Sequence, residues 1–224
     1  MIFQQDFKNK ILLYPKIAAA FEEYKLWCRE YYEKRHDAAV FTDELYKNAI
    51  SNFMHGAFRC IENSKIIVSY GRLILRTANI DDYDFINMAE QDEDSKSWVG
   101  NWSLGMRIEK FGDNNFFQTI VETNDGKPVG FIDFRDMLHD TQAELKRIVI
   151  TEKNKSYGKE AMYLAQKFAF EVLDRDRLYL GTKVDNLRAQ HVYRSTGFTL
   201  VDPENIVGFQ IFKDDYFKNI IKLI

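Results

Sequence analysis

The first third of the chain carries apolar positions at helical spacing. In residues 16–36 apolar side chains recur every three or four positions opposite a charged face, which predicts an amphipathic helix. A second helix is predicted from Thr42, a residue type that favours the N-cap position, through Ser64, although Gly56 lowers its intrinsic helix propensity. We expect residues 1–70 to form a helical extension that packs on the main domain, because its apolar stripes are too large to leave in water.

From residue 71 onward the apolar pattern changes to the alternation of strands. Two β-rich runs flank Asn124, Asp125 and Gly126, and an Asp-Gly pair supplies the positive φ of a tight hairpin turn. The remaining pattern predicts, in chain order, the strand "AELKRIVIT", the helix "GKEAMYLAQKFAFEVLD", the strand "RLYLGTKV", the helix "NLRAQHVYRST" and the closing strands "GFTLVD" and "VGFQIFKDD". Residues 71–224 are therefore predicted to form one mixed domain of helices and strands.

Composition and charge narrow the class of protein. The 224 residues carry 31 Lys and Arg against 34 Asp and Glu, and this balance argues against a nucleic-acid partner. Cys28 and Cys60 have no histidine nearby at zinc spacing, so they predict neither a metal site nor a disulfide scaffold, while spacing leaves a single bridge open. With neither a secretory signal nor an apolar run of membrane length in its sequence, the protein is predicted to be cytoplasmic, without a membrane partner.

The first candidate site is the turn "TEKNKSYGK", residues 151–159, between a predicted strand and a predicted helix. A helix start offers unpaired backbone N–H groups, and the helix dipole favours an anion there. The lysines add positive charge, and Gly158 lets the backbone approach a ligand closely. The turn is predicted to hold a phosphate group, with a solvated connection between strand and helix as the alternative.

The second candidate site is "DNLRAQHVYRSTGF", residues 185–198. Asp185 or Asn186 is predicted to cap a short helix that ends before the Gly-Phe pair. Ala189 and Tyr193 share one face of this helix. Tyr193 is therefore either a core aromatic that packs on the sheet or a residue that takes part in chemistry.

Together the two sites resemble the GNAT superfamily of acetyl-CoA-dependent N-acetyltransferases, over about residues 72–212. The likeness is greatest to the branch similar to ribosomal-protein N-terminal acetyltransferases. Two positions depart from the family pattern: Lys153 stands where Arg or Gln is usual, and Ser156 replaces a glycine. The resemblance implies an α/β (α+β) fold, with a central mixed, mostly antiparallel sheet and flanking helices.

The resemblance also implies roles for individual residues. The strand that carries "RIVI" bulges and splays from its neighbour, and acetyl-CoA, the cosubstrate, lies in the gap. Tyr193 is implied as the general acid toward the coenzyme A sulfur, and Glu144 as the general base, with Asp133, Asp136, His139 and Asp140 as rivals. The positions implied to bind the cosubstrate are Ile148, Val149, Ile150, Lys153, Asn154, Lys155, Ser156, Tyr157, Gly158, Lys159, Asn186 and Ala189.

The function predicted from the resemblance is acetyl transfer from acetyl-CoA to a primary amine by direct attack. The acceptor stays open between a small-molecule amine, such as a polyamine, an amino sugar or an antibiotic, and a protein N-terminus or lysine. A catalytically weakened binding module that keeps the fold is the alternative, motivated by Ser156. The helical extension is predicted either to cover the acceptor cleft or to form a homodimer surface.

Overall fold

The computed structural model describes residues 14–33, 43–202 and 206–221. Its helices are α1 (Pro15–Glu33), α2 (Asp43–Arg59), α3 (Tyr83–Gln91), α4 (Leu104–Gly112), α5 (Tyr157–Lys167), α6 (Leu187–Ser195) and α7 (Lys213–Ile221). A 3-10 turn (Ile80–Asp82) precedes α3, and a π-helical turn (Phe168–Val172) continues α5. The predicted N-cap Thr42 lies outside the described residues.

The strands form one eight-stranded sheet. They are β1 (Ile66–Tyr70), β2 (Leu73–Thr77), β3 (Phe116–Thr123), β4 (Pro128–Arg135), β5 (Gln142–Ile150), β6 (Arg177–Lys183), β7 (Thr199–Asp202) and β8 (Ile206–Phe212). Their order is β1-β2-β3-β4-β5-β6-β8-β7, and every pair is antiparallel except β5 with β6. The predicted mixed, mostly antiparallel sheet with flanking helices is confirmed. None of the helices in the described part of the chain is long and apolar enough to cross a membrane.

The chain forms two compact units that do not follow its linear order. The described residues up to Asn63 belong to one unit together with residues 79–83 and 102–114, and the rest form the other. Helix α4 therefore shares its unit with α1 and α2, although it lies in the middle of the chain. The expectation that residues 1–70 pack on the main domain stays a prediction.

The first unit has its own apolar core. A Cβ atom at Gly56 would collide with the carbonyl oxygen of Ile108, and one at Gly112 would collide with that of Asn52. Helices α2 and α4 therefore touch backbone to backbone, which explains a glycine inside α2 despite its low helix propensity. The buried apolar side chains of this core are Ile17, Ala20, Tyr24, Cys28, Phe53, Met54, Ala57, Cys60 and Ile108.

The two cysteines lie in this first core as free thiols. Burial raises the pKa of both, that of Cys60 to about 12, so both thiols stay protonated and unreactive at neutral pH. The bridge that spacing left open is not formed in the structure.

The second unit is built around the sheet, with α5 packed against it. Helix α5 buries Ala161, Met162, Leu164 and Ala165, and the ring of Phe168 lies beside the rings of Phe117 and Phe134 at centroid distances of 5.5 and 4.8 Å. This packing fixes the helix whose N-terminus follows the candidate phosphate turn. The position of that turn is therefore set by the core.

Candidate functional site

Strands β5 and β6 pair only over their first three residues. Gln142, Ala143 and Glu144 face Arg177, Leu178 and Tyr179, respectively, and the register stops there, while β6 continues to pair with β8. The β4–β5 ladder skips Lys146 in the same region. An extra residue on one strand is a β-bulge, so β5 both bulges and parts from β6, as the resemblance implies.

The parting leaves backbone groups of β5 facing the gap. The N–H of Thr151 donates to the carbonyl oxygen of Val129 at 2.9 Å, and backbone groups point to alternate sides along a strand. Ile148 and Ile150 therefore direct their backbone N–H and C=O groups away from β4, toward the gap. The Ile150 carbonyl accepts a hydrogen bond of 2.7 Å from the Lys153 ammonium.

A cleft of about 1120 Å³ opens along this gap. This volume lies slightly above the range of about 300–1,000 Å³ that is usual for small-molecule sites. The structure brings into its lining every site residue predicted from the sequence except Lys155, namely Glu144, Ile148, Val149, Ile150, Lys153, Asn154, Ser156, Tyr157, Gly158, Lys159, Asn186, Ala189 and Tyr193. The rival bases Asp133, Asp136, His139 and Asp140 do not line it.

The turn before α5 has left-handed backbone at two positions. Asn154 has φ 62°, and Ser156 has φ 64° with ψ 6°, the region that glycine adopts without strain. The Ser156 side chain makes no capping hydrogen bond to α5. The residue that replaces the family's glycine therefore keeps the backbone shape a glycine would give.

The start of α5 presents backbone donors to the cleft. The first helical hydrogen bonds are donated by the N–H groups of Lys159 and Glu160 to the carbonyl oxygen of Ser156, at 3.0 and 3.3 Å. The N–H groups of Tyr157 and Gly158 precede them and have no helical acceptor. A Cβ atom at Gly158 would meet nothing within 4 Å, so the backbone there faces open space.

The charges of this turn are largely engaged within the protein. Lys155 lies 2.5 Å from the Glu152 carboxylate, which also pairs with Lys127, and these two hydrogen bonds lower the pKa of Glu152 to about 2. Burial lowers the pKa of Lys153. Lys159 is exposed and makes no ion pair with any residue the structure describes. The positive charge predicted from three lysines is therefore reduced by Glu152.

Arg72 clamps this turn from the connection between β1 and β2. Its guanidinium lies 2.5 Å from the Glu160 carboxylate and donates to the carbonyl oxygen of Lys155 at 2.6 Å. The same guanidinium stacks over the Tyr157 ring, 4.7 Å from its centroid. No sequence pattern pointed to this clamp, because its partners lie more than eighty residues away along the chain.

Helix α6 carries the second predicted site. The Asn186 side chain accepts from the Ala189 N–H at 3.2 Å, so Asn186 is the N-cap, one of the two residues that the sequence offered for this position. Tyr193 is 7% exposed, and its ring packs edge-on against Phe209 with centroids 5.5 Å apart. Burial raises the pKa of Tyr193 to about 12. Tyr193 is thus a core aromatic that also lines the cleft.

Glu144 lies where β5 and β6 begin to part. It is buried, and its carboxylate lies 2.5 Å from the Arg135 guanidinium and 3.4 Å from the Lys146 ammonium. Across the parallel pair, the Tyr179 hydroxyl donates to Asp136. Glu144 is therefore an ion-paired side chain within the sheet rather than a solvated residue at a strand end, and its role as base stays a prediction.

Residues 92–101, which we call the 92–101 segment, contribute to the cleft a wall that the sequence did not predict. Its lining residues are Glu93, Asp94, Ser95, Ser97, Trp98 and Val99. The Lys183 ammonium donates to the Ser97 carbonyl oxygen at 2.8 Å, and Arg188 lies 3.8 Å from the Asp94 carboxylate. These contacts join the segment to the end of β6 and the start of α6. The sequence could not predict this part of the site, because the segment has no periodic apolar pattern and its place beside the cleft depends on these tertiary contacts.

Comparisons with known proteins agree with this geometry. Residues 72–199 match the family model described as "Acetyltransferase (GNAT) domain". Over 106 residues the chain is 29% identical to spermidine N(1)-acetyltransferase of Escherichia coli (strain K12). The matched region covers 46% of this chain and 55% of that protein. The chain thus spans about half the length of the curated relatives it matches.

Solved structures share the fold. Spermidine N-acetyltransferase from Vibrio cholerae, in complex with CoA and spermine, aligns with a TM-score of 0.58 and 19% identity, over 65% of this chain and 98% of that one. An acetyltransferase (GNAT family) from Bacillus anthracis aligns with a TM-score of 0.54 and 18% identity, over 66% and 98%. The predicted link to the ribosomal-protein branch stays a prediction, since these relatives are named for spermidine or for the family alone.

Proposed function

This chain belongs to the acetyltransferase (GNAT) family, and we propose that it transfers an acetyl group from acetyl-CoA to a primary amine of a small molecule. The observation that carries the proposal is the gap between β5 and β6. One cleft combines an unpaired strand edge, a helix N-terminus and a tyrosine hydroxyl. These are the groups that a long, amide-bearing thioester with a pyrophosphate requires.

The residues of the cleft fit acetyl-CoA chemically. The backbone groups of Ile148 and Ile150 suit the amides of the pantetheine arm, because a parted strand edge offers both donors and acceptors. The N–H groups of Tyr157 and Gly158 suit the pyrophosphate, since a helix N-terminus favours an anion. The open space at Gly158 supports this assignment, because a phosphate can approach the backbone there.

Tyr193 is proposed as the proton donor. The thioester supplies an activated acetyl group, the amine nitrogen bonds to its carbonyl carbon, and the carbon–sulfur bond breaks. The leaving sulfur then needs a proton, which the Tyr193 hydroxyl is proposed to donate. A pKa raised to about 12 keeps that hydroxyl protonated throughout the physiological range. Backbone N–H groups of the bulged strand are proposed to stabilise the negative charge that develops on the carbonyl oxygen.

Glu144 is proposed to accept the proton that the amine loses. It is the carboxylate at the bulged end of the cleft, between Arg135 and Lys146. The proposal predicts that Glu144→Gln lowers the rate most at the pH where the acceptor is still an ammonium ion. A pH–rate profile unchanged in shape would remove Glu144 from this role.

A polyamine is the first acceptor to test. Glu93, Asp94 and Glu144 all line the cleft; each is ion-paired within the protein, but Glu93 and Asp94 are exposed, and a cationic acceptor can compete for their carboxylates. The relative from Escherichia coli is named for spermidine, and the solved structure from Vibrio cholerae contains spermine. A homodimer stays a prediction, to be checked by sedimentation of the purified chain.

The decisive experiment is release of the coenzyme A thiol with a panel of amines. The panel holds spermidine, spermine, an amino sugar, lysine and a peptide with a free N-terminus, and calorimetry measures acetyl-CoA binding in parallel. We expect acetyl-CoA to bind and a polyamine to give the fastest release. Binding without release for any amine would favour the binding module, and failure to bind acetyl-CoA would overturn the proposed function.

A further inference from the structure

Arg147 lies on β5 directly after the bulged residue Lys146, and its side chain is buried. Its guanidinium lies 2.5 Å from the carboxylate of Glu90 on α3. It also donates to the carbonyl oxygen of Gly100 and lies 3.6 Å from the carboxylate of Asp133 on β4. One side chain thus joins a helix, two strands and the 92–101 segment.

The chemistry of this cluster requires an arginine. Glu90 is 1% exposed and Asp133 is fully buried, and buried carboxylates need a cation with hydrogen bonds to offset the loss of water. A guanidinium offers five N–H donors in a planar fork and can serve several acceptors in different directions. A lysine ammonium keeps the charge but is a single point on a flexible stem. It cannot reproduce all three contacts.

The cluster connects the two walls of the cleft. Ile148, the next residue on β5, directs its backbone groups into the gap, and Gly100 directly follows Val99, a residue of the 92–101 segment that lines the cleft. A change at the Arg147 guanidinium would therefore shift the bulged strand and the segment relative to each other. Such shifts of reacting groups cost rate steeply, by up to about 100-fold for 1 Å.

We propose that Arg147 is a positioning residue for acetyl transfer, which holds the bulged strand β5 and the 92–101 segment in register across the cleft. The inference rests on the proposed function. Arg147 borders the cleft, but its guanidinium is engaged by Glu90, Asp133 and Gly100, and no contact with substrate is proposed for it. The turn that is proposed to hold the pyrophosphate lies beyond the end of β5, so Arg147 is expected to govern the chemical step more than acetyl-CoA affinity.

The test compares Arg147→Lys and Glu90→Gln with a matched control, Arg76→Lys. Arg76 also lies on a strand and pairs with a carboxylate, that of Glu122 at 2.6 Å, but it does not line the cleft. We expect single-turnover rates to fall by about tenfold or more in both test variants, with the acetyl-CoA Kd changed by less than about threefold. Arg76→Lys is expected to leave both quantities unchanged.

Hydrogen exchange supplies a second readout, which does not depend on activity. Arg147→Lys is expected to speed exchange within the 92–101 segment, whereas Arg76→Lys is not. Unchanged exchange in the segment, or an unchanged single-turnover rate in folded Arg147→Lys, would overturn the inference. If Arg147→Lys does not fold, the nearly isosteric Glu90→Gln decides by the same two criteria. A wild-type chain that neither binds acetyl-CoA nor turns over would overturn the proposed function itself, and the inference with it.

Discussion

The 151–159 turn and helix α6 both line the cleft, but they contribute to it in opposite ways. The turn consists of exposed and half-buried residues and offers backbone N–H groups, with Glu152 and Lys155 engaged in an ion pair and Lys153 in a hydrogen bond. Helix α6 is exposed along one face and buries Gln190 and Tyr193, of which only Tyr193 lines the cleft. Function at the turn should therefore depend on backbone shape, whereas function at α6 should depend on a single hydroxyl.

This difference explains where the chain departs from its family pattern. Both departures, Lys153 and Ser156, fall in the turn. Ser156 still adopts the left-handed backbone of a glycine, and the Lys153 ammonium bonds to a strand carbonyl. A site built from backbone N–H groups tolerates such changes, because the side chains are not its donors. Helix α6, by contrast, has the residues of the family pattern at Asn186, Ala189 and Tyr193.

The largest expected effect is that of Tyr193→Phe, which removes one oxygen and keeps the packing of the ring. Single-turnover rates of acetyl transfer should fall by about 100-fold, because the leaving sulfur loses its proton donor. Melting temperature and acetyl-CoA affinity should change little, since no hydrogen bond joins the hydroxyl to a described residue. Rapid-mixing kinetics and calorimetry measure the two quantities separately.

The matched control is Tyr163→Phe, which removes a hydroxyl from a ring that packs at a tilt against Tyr70 and does not line the cleft. It should leave the rate unchanged.

Wild-type activity should also show no alkaline loss from Tyr193 below about pH 11, because the tyrosine stays protonated until its raised pKa is reached. Equal rates in Tyr193→Phe and wild type would make Tyr193 a core aromatic only.

The second expected effect tests the backbone at the turn. Gly158→Val should weaken acetyl-CoA binding by about tenfold, because the branched side chain fills the space that a phosphate needs. The fold should survive, since a Cβ atom there meets nothing and the residue is helical. Calorimetry should show an intermediate loss for Gly158→Ala. If both variants bound acetyl-CoA as tightly as wild type does, the pyrophosphate would not bind at this turn.

The sequence was sufficient for those parts of the fold whose signals are local. The hairpin at Gly126, helix α5, strand β6 and helix α6 follow from spacing, turn chemistry and caps within a few residues. Helix α4 was not predicted, because Gly105 and Gly112 lower its helix propensity and its apolar face has meaning only beside α1 and α2. Helix α7 follows β8 without a turn residue, so its first residues were taken for the end of a strand.

The candidate site also has a part that local sequence signals predict and a part that they do not. The turn and α6 are contiguous motifs, so their residues could be named from the sequence. The ion pairs of Arg72 with Glu160 and of Arg147 with Glu90 join residues far apart along the chain, and nothing in a single sequence pairs them. The resemblance implied Glu144 as a base, but only the structure shows that Arg135 and Lys146 pair with its carboxylate. The ion pairs between residues far apart along the chain are therefore the part of the candidate site that only the structure could show.

The third prediction is a gain of affinity, from Glu152→Gln. Hydrogen bonds from Lys127 and Lys155 lower the pKa of Glu152 to about 2, so its carboxylate carries a full negative charge beside the turn at any working pH. Removing that charge leaves the positive charges of Lys127 and Lys155 uncompensated near the turn, and acetyl-CoA should bind about threefold more tightly at low salt. The gain should shrink as salt rises. Glu122→Gln, remote from the cleft, should give no gain; weaker binding in Glu152→Gln would show that the carboxylate supports the turn.

The smallest expected effect concerns Ser156, where backbone shape is separated from side-chain identity. Left-handed backbone costs an ordinary residue about 1 kcal/mol or more, and glycine avoids this cost but loses about 0.5–1 kcal/mol through its more flexible unfolded chain. Ser156→Gly should therefore raise the melting temperature only slightly, by about 1–2 °C, since no capping hydrogen bond is lost. The melting temperature should rise less in Asn154→Gly, because asparagine tolerates this backbone.

Acetyl-CoA affinity should stay within about twofold of wild type in Ser156→Gly, because the N–H groups keep their directions. A large gain in affinity would instead mean that serine distorts the turn, and that side-chain identity matters there after all.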